Sequence, residues 1–576
     1  MVRKNIQLRW LLLFVVLLGA GLRFQGLDWD GGYHLQPDER YISMVLSALS
    51  PTRNRGEYFD PNQSSLSPYV NNFGAYIYGQ LPLTVLTYLS RWLGMEGYDR
   101  AYLLGRGISA VLDTLSIVLV YNLGKRLWNE KTGVIGAGFY AFSPLAIQYS
   151  HFMTMESWVT FSWLILMLIL TRLLRPAAAR IAMTGIEKFR KLHKMAAVGI
   201  LMGAALAVKL SSVVLVPLVV VTILLSFKDS PYRTVRRVLI ILAMAILSFR
   251  FFQPTIFQSA SWLDWSLRQD FYQAFNFQRL AIEGKVMFPP QWQWVNTPRW
   301  WFPLKNIVLW GMGPAAGGLA VAGVVWQICQ IRRIRQISPI GQIKLILAVW
   351  LAAVFFWQGG KFVKIMRYFL PFFPLYCLFA ASVFNFLKRT VLARTVLLGS
   401  VFVSGMWAVM FTNIYRAPTT RVAASEWIYQ NIPAGSKIML EEWDDPLPLL
   451  MPGYEVFNYQ TEMVGVYAVD DEKKREKINR WMRDFNWIVL SSSRAKGSIG
   501  QLPKEFPQMS KFYRDLDSGS LGFAKVAEFT SYPSFKIENW ELKIDDSSVE
   551  ESFWVYDHPK VEIYKRTQNS KFKIQN

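Results

Sequence analysis

Long apolar runs alternate with short basic connections over the first 415 residues of the chain. The first run lies between Arg9 and Arg23 and has no small-residue cleavage site after it, so we expect a retained span and not a signal peptide. Ten further runs approach the roughly 20 residues that cross a bilayer; they lie near residues 102–126, 133–151, 156–174, 195–209, 211–227, 236–253, 306–328, 343–358, 366–387 and 395–413. The pattern therefore predicts about eleven helical spans, some of them tilted.

Residues 78–93 are also apolar enough to span, and counting them would reverse the orientation of every later segment. Loop charge decides between the two topologies, because cytoplasmic loops carry an excess of Lys and Arg. If residues 78–93 lie on the membrane surface, the strongly basic connections all fall on the side of the N-terminus; they are residues 125–131, 172–194, 228–237, 332–335 and 388–394. We therefore predict a multi-pass protein of the cell (inner) membrane, with a cytoplasmic N-terminus and an extracytoplasmic C-terminus.

In this topology three segments face the outer compartment: residues 27–100, residues 254–305, and everything after about residue 416. The first has apolar positions at helical spacing after Pro37, which predicts an interfacial helix, and residues 78–93 would form a second one. The second segment is rich in Trp, and we expect these rings to anchor at headgroup depth more than to stack on sugars.

The composition after residue 416 is that of a soluble domain. Its sequence alternates between helical and extended patterns, with predicted helices at 423–431 and 473–483 and predicted strands at 437–440, 487–490 and 561–564. Mixed α/β structure follows from this alternation. We predict a polytopic α-helical membrane domain over residues 1–415 and an extracytoplasmic soluble α/β domain over residues 416–576.

The net charge of +23 invites a nucleic-acid function, since a basic surface is the usual footprint of phosphate-backbone binding. Here the basic residues cap helix ends on the predicted cytoplasmic face, where they serve as topology signals and contact anionic membrane lipids. We therefore expect no nucleic-acid partner. The two cysteines lie within a predicted span or directly at its end, and the four histidines have no zinc-ligand spacing, so neither redox chemistry nor a structural metal is expected.

Acidic and basic side chains gather on the predicted outer face. The acids are the adjacent pair Asp38 and Glu39, and Glu156 at the start of a span; the cations, which depart from the positive-inside trend, are Lys209, Lys361, Lys364 and Arg367. Arg can grip a phosphate with two hydrogen bonds and Lys adds a point charge, while a carboxylate near a hydroxyl can act as a general base. These residues favour a phosphate-bearing lipid substrate, with a transporter as the alternative.

The same residues lie in motifs that resemble the polyprenyl-phosphate-dependent membrane glycosyltransferases of the GT-C fold, glycosyltransferase family 39, which includes protein O-mannosyltransferases and aminoarabinose transferases. The landmarks run along nearly the whole chain: Leu35-Gln36-Pro37-Asp38-Glu39-Arg40-Tyr41, Tyr78-Gly79-Gln80-Leu81-Pro82-Leu83, Gly105-Arg106-Gly107-Ile108-Ser109-Ala110, Gly203-Ala204-Ala205-Leu206-Ala207-Val208-Lys209 and Lys364-Ile365-Met366-Arg367-Tyr368-Phe369-Leu370-Pro371. Their order and spacing carry the resemblance. The Trp-Trp-Asp-Tyr-Gly signature of oligosaccharyltransferases is absent from the sequence, which argues against transfer of a preassembled oligosaccharide.

The resemblance implies a GT-C enzyme that moves a monosaccharide from a polyprenyl-phosphate donor to an acceptor hydroxyl of a protein, lipid or glycan, with inversion at the anomeric carbon. It implies three catalytic carboxylates, Asp38, Glu39 and Glu156, with Asp38 the first candidate for the base. It implies a donor-phosphate site made of Lys209, Lys364, Arg367 and Arg106. Glu156 stands where the family often has Asp, and Gln36 where it usually has His.

No cofactor is required by this chemistry, because Lys and Arg can serve the leaving phosphate, although a divalent metal could bind to the carboxylates. The alternative function is a transporter or flippase of a lipid-linked or anionic substrate, which would move its substrate without cleaving a bond. A third alternative is a binding or assembly protein that acts through the tail alone.

Overall fold

The computed structural model describes residues 2–173, 185–226, 231–333, 338–387 and 390–567. Parts of four of the basic connections, at residues 174–184, 227–230, 334–337 and 388–389, lie outside the described residues. The chain divides into two compact units. The first consists of Met1–Leu27, Asp38–Leu280 and Arg299–Val409, and the second of Asp28–Pro37, Ala281–Pro298 and Met410–Asn576. The second unit thus takes two segments from the predicted outer loops in addition to the tail.

The first unit is helical. Its helices are α1 (Val2–Phe24), α2 (Pro37–Ala48), α3 (Arg55–Phe59), α4 (Gln80–Leu93), α5 (Tyr98–Leu127), α6 (Glu130–Ala141), α7 (Pro144–Ser150), α8 (Glu156–Leu173), α9 (Gly185–Val208), α10 (Val216–Ser226), α11 (Pro231–Phe252), α12 (Gln269–Ile282), α13 (Trp301–Asn306), α14 (Pro314–Cys329), α15 (Pro339–Gly359), α16 (Phe373–Ser382) and α17 (Val391–Thr412). Short 3-10 segments lie between several of them, among them Leu210–Leu215 before α10 and Met366–Phe372 before α16.

Six helical stretches in the described part of the chain are long and apolar enough to cross a membrane, whereas the sequence pattern predicted about eleven spans. The six are Ile6–Phe24, Tyr98–Leu127, Pro314–Arg332, Ile340–Gly359, Met366–Asn385 and Val391–Asn431. The class of multi-pass helical membrane protein is confirmed, and the predicted number of spans is not. Two shorter apolar helices, His193–Val208 and Leu210–Leu224, occupy two more of the predicted spans.

Proline and glycine explain why apolar runs fail to become single long helices. The predicted span at residues 133–151 is divided into α6 and α7 at Ser143, which has an extended backbone ahead of Pro144. Proline disfavours the helical conformation in the residue before it and cannot donate a helical hydrogen bond. In the predicted span at 306–328, Gly313 with φ of +83° precedes Pro314 and separates the turn after α13 from α14.

Helix α4 covers the stretch whose placement set the predicted orientation. It has 14 residues, which corresponds to about 21 Å of helix at 1.5 Å per residue. That is shorter than the hydrocarbon core of roughly 30 Å. The length of α4 therefore agrees with a position along the membrane surface and not across it.

The second unit is a mixed α/β fold, as the sequence predicted. Its strands are β1 (Lys437–Glu441), β2 (Gln460–Val464), β3 (Trp487–Leu490), β4 (Phe523–Phe529), β5 (Ser534–Ile537), β6 (Trp540–Lys543) and β7 (Val561–Arg566). Five of them form one sheet in the order β2-β1-β3-β7-β4. Strand β1 pairs in parallel with β2 and β3, and β7 pairs in antiparallel fashion with β3 and β4. Strands β5 and β6 form a separate antiparallel pair. Its longer helices are α18 (Thr420–Asn431), α19 (Glu472–Asp484) and, after the one-turn α20 (Arg494–Gly497), α21 (Pro507–Asp517).

Alternate residues of the central strands bury opposite faces of this sheet. Ile488 and Leu490 pack with residues of α19 and α21, whereas Trp487 and Val489 pack with residues of α18. Successive side chains of a strand point to opposite faces, so a continuously apolar strand indicates a sheet covered on both sides. Each of the five predicted elements of the tail is present: β3 has the predicted bounds, and the other four elements extend beyond theirs by one to three residues.

Candidate active site

Helix α2 gives its first two acidic residues different surroundings. The helix begins at Pro37, and Asp38 and Glu39 follow in its first turn, where the helix dipole favours negative charge. Successive residues point about 100° apart around a helix with 3.6 residues per turn. Asp38 and Glu39 are therefore neighbours in sequence whose carboxylates contact different parts of the first unit.

Glu39 lies in the interior and pairs with Arg106 of α5. The Arg106 Nε donates to the two Glu39 carboxylate oxygens at 3.0 and 3.1 Å, and both side chains have no exposed surface. The backbone N–H of Met153 also donates to Glu39, at 2.6 Å, and Arg106 donates to the carbonyl of Leu27 at 2.8 Å. This pair joins the segment before α8 and the end of α1 to α2 and α5.

Asp38 is instead a quarter exposed, with 24% of its side-chain surface accessible, and it contacts Arg367 in the 3-10 segment before α16. Its other oxygen, Oδ1, accepts a hydrogen bond from the Tyr78 hydroxyl at 3.0 Å. Burial by itself would raise the pKa of Asp38, but the charge and hydrogen bond of Arg367, the Tyr78 hydroxyl and the charge of Lys209 together lower it below its usual value. The Asp38 carboxylate is therefore ionised at neutral pH and accessible at the protein surface.

Glu156 and Lys209 form a second ion pair in the same region. Glu156 is the first residue of α8, and its Oε1 accepts a hydrogen bond from the Lys209 ammonium at 2.7 Å. Lys209 follows α9 directly and has an extended backbone, so α9 ends there and the lysine side chain leaves the helix. Glu156 is 5% exposed and Lys209 is 25% exposed.

The two ion pairs belong to one electrostatic cluster. Asp38 interacts with the charge of Lys209 as well as with that of Arg367, and Glu156 interacts with the charge of Arg367 as well as with that of Lys209. We call these four side chains the charge tetrad. Four separate elements supply it: α2, the start of α8, the end of α9, and the 3-10 segment before α16.

A glycine allows the segment that carries Tyr78 to lie directly on the end of α9. The N–H of Gly79 donates to the carbonyl of Val208 at 3.2 Å. A Cβ atom on Gly79 would lie 2.0 Å from the carbonyl oxygen of Ala207 and 2.3 Å from that of Val208. Only glycine fits between these backbone groups, so Gly79 places Tyr78 between α9 and Asp38.

Lys364, a predicted phosphate ligand, has a different environment. Its ammonium donates to the carbonyl of Phe362 at 2.9 Å, and the residue is 3% exposed. Burial and the nearby positive charge of Arg299 lower the pKa of Lys364 to about 8. Lys364 is therefore a buried cation that loses its charge more easily than an ordinary lysine.

Of the predicted site residues, the structure brings Asp38, Glu156, Lys209 and Arg367 together in the tetrad. Glu39 and Arg106 instead form a fully buried ion pair with each other, which we call the sealed pair. Tyr78 was not among the predicted site residues, although it belongs to a motif that was recognised. Tyr149 is likewise new: it is buried and interacts electrostatically with Arg367. Its signal in the sequence was only its position just before Glu156.

Within the described ranges, no three His, Cys, Asp or Glu side chains converge as they would around a metal ion.

Comparison with known proteins relates part of the chain to a described family. Residues 100–257 match the family model described as dolichyl-phosphate-mannose-protein mannosyltransferase. This range holds Arg106, Glu156 and Lys209. No curated protein sequence matches the chain.

Two solved structures extend the comparison over most of the chain. The oligosaccharyltransferase from Archaeoglobus fulgidus, tethered to an acceptor peptide, is similar with a TM-score of 0.50 and 13% identity over 98% of this chain and 89% of its own. ArnT from Cupriavidus metallidurans, in the apo state, gives a TM-score of 0.42 and 13% identity over 92% of this chain and 96% of its own. The likeness to the archaeal enzyme shows a shared fold and nothing more. The match of residues 100–257 to the mannosyltransferase family model confirms the predicted resemblance to these membrane enzymes and the predicted enzyme class, glycosyltransferase.

Proposed function

We propose that this protein transfers a monosaccharide from a polyprenyl-phosphate donor to an acceptor hydroxyl on the extracytoplasmic side of the membrane, with inversion at the anomeric carbon. The charge tetrad is the observation that carries this proposal. It combines a partly exposed ionised carboxylate, Asp38, with two cations, Lys209 and Arg367, in one cluster of the helical unit. A base and a phosphate site within one cluster are what a single displacement at a sugar phosphate requires.

In this reaction Asp38 takes the proton of the acceptor hydroxyl as the acceptor oxygen bonds to the anomeric carbon. The bond between that carbon and the phosphate oxygen breaks, and the electron pair leaves with the lipid phosphate. Arg367 and Lys209 stabilise the charge on the departing phosphate. Glu156 holds Lys209 in place through its hydrogen bond of 2.7 Å.

We assign Glu39 and Arg106 a supporting part in this reaction. Neither side chain has exposed surface, so a substrate could touch them only if the pair opened. Their contacts hold α2 against α5 and against the segment before α8, and so they fix the position of Asp38 relative to Glu156. A role for Lys364 in holding the donor phosphate stays part of the proposal.

An apolar cavity offers room for the lipid of the donor. It has a volume of about 770 Å³ and is lined by side chains of α9, α10 and α11 together with Phe257 and Trp265. Its lining includes Leu206, three positions before Lys209 on α9. A polyprenyl chain in this cavity would extend from a phosphate held at the charge tetrad, and burial of its methyl and methylene groups would contribute to binding.

The description of the matching family, a protein mannosyltransferase that uses dolichyl-phosphate-mannose, supports a lipid-linked hexose donor. The acceptor could be a protein, a lipid or a glycan. We further propose that the N-terminus lies in the cytoplasm and the second unit outside the cell (inner) membrane. No cofactor takes part in the proposed chemistry.

The test is sugar transfer by the purified protein in lipid vesicles with a radiolabelled polyprenyl-phosphate mannose. Candidate acceptors are a membrane protein fraction and a lipid extract. Asp38→Asn should abolish transfer, and Glu96→Gln should leave it unchanged, because Glu96 forms an exposed ion pair with Arg91 away from the tetrad. Full activity of the Asp38→Asn protein would overturn the proposal. Movement of labelled lipid across the bilayer without bond cleavage would identify a flippase instead.

A further inference from the structure

We infer that the donor phosphate binds by exchange: it takes Arg367 and Lys209 away from Asp38 and Glu156, and so donor binding itself sets the base free. This inference rests on the proposed function and adds an order to it, donor before acceptor.

Each cation of the tetrad is engaged by a carboxylate. Arg367 contacts Asp38, and Lys209 donates to Glu156 at 2.7 Å. Two carboxylates and two cations leave the tetrad with no net formal charge. An incoming phosphodiester brings one negative charge, which would face two carboxylates unless the cations turn towards it.

Solvent exposure distinguishes the charge tetrad from the sealed pair. The side chains of Asp38 and Arg367 are 24% and 18% exposed, whereas those of Glu39 and Arg106 have no exposed surface. A ligand can therefore reach the tetrad without opening the protein. The sealed pair is inaccessible to a ligand and keeps its partners, whereas the side chains of the tetrad can exchange theirs.

Arg367 also has a hydrogen-bond donor that a ligand could satisfy. Its Nε–H is buried and finds no hydrogen-bond acceptor among the described residues. A buried donor without a partner is destabilising, and a phosphate oxygen at this position would relieve that cost. Guanidinium groups bind phosphate through two parallel N–H groups, so Nε and one terminal nitrogen of Arg367 suit a phosphate better than the single carboxylate contact does.

Tyr78 keeps Asp38 in place during the exchange. Its hydroxyl donates to Oδ1 at 3.0 Å, so Oδ1 stays bound when Arg367 leaves the carboxylate. The freed lone pairs of Asp38 then accept the hydroxyl of the acceptor. The loss of the Arg367 contact and the arrival of a negative phosphate both favour proton uptake by Asp38, and the carboxylate becomes a stronger base only once the donor is bound. Tyr78 is thus a positioning residue.

The experiment measures binding of a polyprenyl phosphate without sugar to the purified full-length protein in detergent. Exchange predicts that Asp38→Asn binds it at least about tenfold more tightly than the wild type, because Arg367 no longer has to leave a charged partner. Glu156→Gln should tighten binding in the same way through Lys209. Glu96→Gln is the matched control and should bind like the wild type.

A double-mutant cycle separates exchange from simple repulsion between Asp38 and the phosphate. In an Arg367→Gln background, exchange predicts that Asp38→Asn gives no further gain, whereas repulsion predicts the same gain as before. Equal or weaker binding by a folded Asp38→Asn protein, or an unchanged gain in the Arg367→Gln background, overturns the inference. If Asp38→Asn does not fold, Glu156→Gln in a Lys209→Gln background gives the same test.

Tyr78→Phe provides a kinetic readout. Positioning predicts a lower kcat with an unchanged KM for the donor, and an unchanged kcat contradicts it. These measurements are distinct from the test of function: a wild-type protein that transfers no sugar overturns the proposed function, whereas a wild-type protein that transfers sugar without the binding gain overturns exchange alone.

Discussion

Asp38 and Arg367 are in contact although 329 positions separate them in the sequence. Asp38 lies in the first turn of α2 and Arg367 in the 3-10 segment before α16. Their contact joins α2 to that segment and supplies one of the two ion pairs of the charge tetrad. By contrast, Glu39, the sequence neighbour of Asp38, is turned inward to Arg106.

The sealed pair should matter for stability more than for chemistry. Removing one partner of a buried ion pair leaves an uncompensated charge and costs about 3–5 kcal/mol. We expect Glu39→Gln to lower the thermal unfolding temperature markedly, while Asp38→Asn, at a partly exposed site, changes it little. A Glu39→Gln protein with wild-type stability and no transferase activity would show that Glu39 takes part in the chemistry directly.

The close approach at Gly79 gives a second prediction. Gly79→Ala would force a Cβ against two backbone carbonyls of α9, moving Tyr78 away from Asp38. We expect kcat/KM to fall at least about tenfold, equivalent to 1.4 kcal/mol of transition-state stabilisation. Gly107→Ala is the control, because nothing lies within 4 Å of a Cβ at that position. Equal kinetics for the two variants would show that the contact of Gly79 with α9 is dispensable.

The apolar cavity should select the length of the donor lipid. Val220 lines it, so Val220→Trp would fill part of its volume. We expect a higher KM for donors with long polyprenyl chains and little change for donors with short ones. Val213→Trp, at a side chain that is 59% exposed and outside the cavity lining, should leave both unchanged. The same KM increase for all chain lengths would place the lipid elsewhere.

Lys364 predicts a pH dependence of donor binding. Its pKa is lowered to about 8 by burial and by Arg299, so its positive charge is present below that pH and is lost as the pH rises through it. If Lys364 helps to hold the donor phosphate, the KM for the donor should rise between about pH 7 and pH 9. Lys364→Arg keeps its charge over this range and should remove the effect. An identical pH profile in the variant would exclude Lys364 from the phosphate site.

The proposed chemistry also predicts that transfer continues without divalent metal ions. Lys209 and Arg367 can stabilise the leaving phosphate by themselves, so we expect activity within about twofold of the untreated enzyme after incubation with a chelator. The comparison should be made at constant ionic strength, because salt screens charged contacts. A loss of activity that added Mg²⁺ or Mn²⁺ restores would require a metal in the mechanism.

Part of the fold could be predicted because it depends on local patterns. Apolar runs of membrane-spanning length, basic connections and the alternating elements of the tail are read over windows of about 5 to 20 residues. These windows identified β1, β3 and β7 and the helices α18 and α19. They predicted about eleven spans, whereas six helical stretches of the described residues are long and apolar enough to cross a membrane. Hydropathy counts apolar residues and does not register the break that Pro144 introduces between α6 and α7.

The sequence by itself determined the class of the protein and identified the carboxylates Asp38 and Glu156 and the cations Lys209 and Arg367 as candidate site residues. Tertiary structure alone decided how these residues pair. The identity of an ion-pair partner depends on helix packing between segments far apart in the chain, and sequence spacing carries no such information. Because successive side chains point in different directions around α2, Glu39 is buried against Arg106 whereas Asp38 stays partly exposed. Gly79 has no side chain, so its segment can lie against α9 and the Tyr78 hydroxyl can bind Asp38.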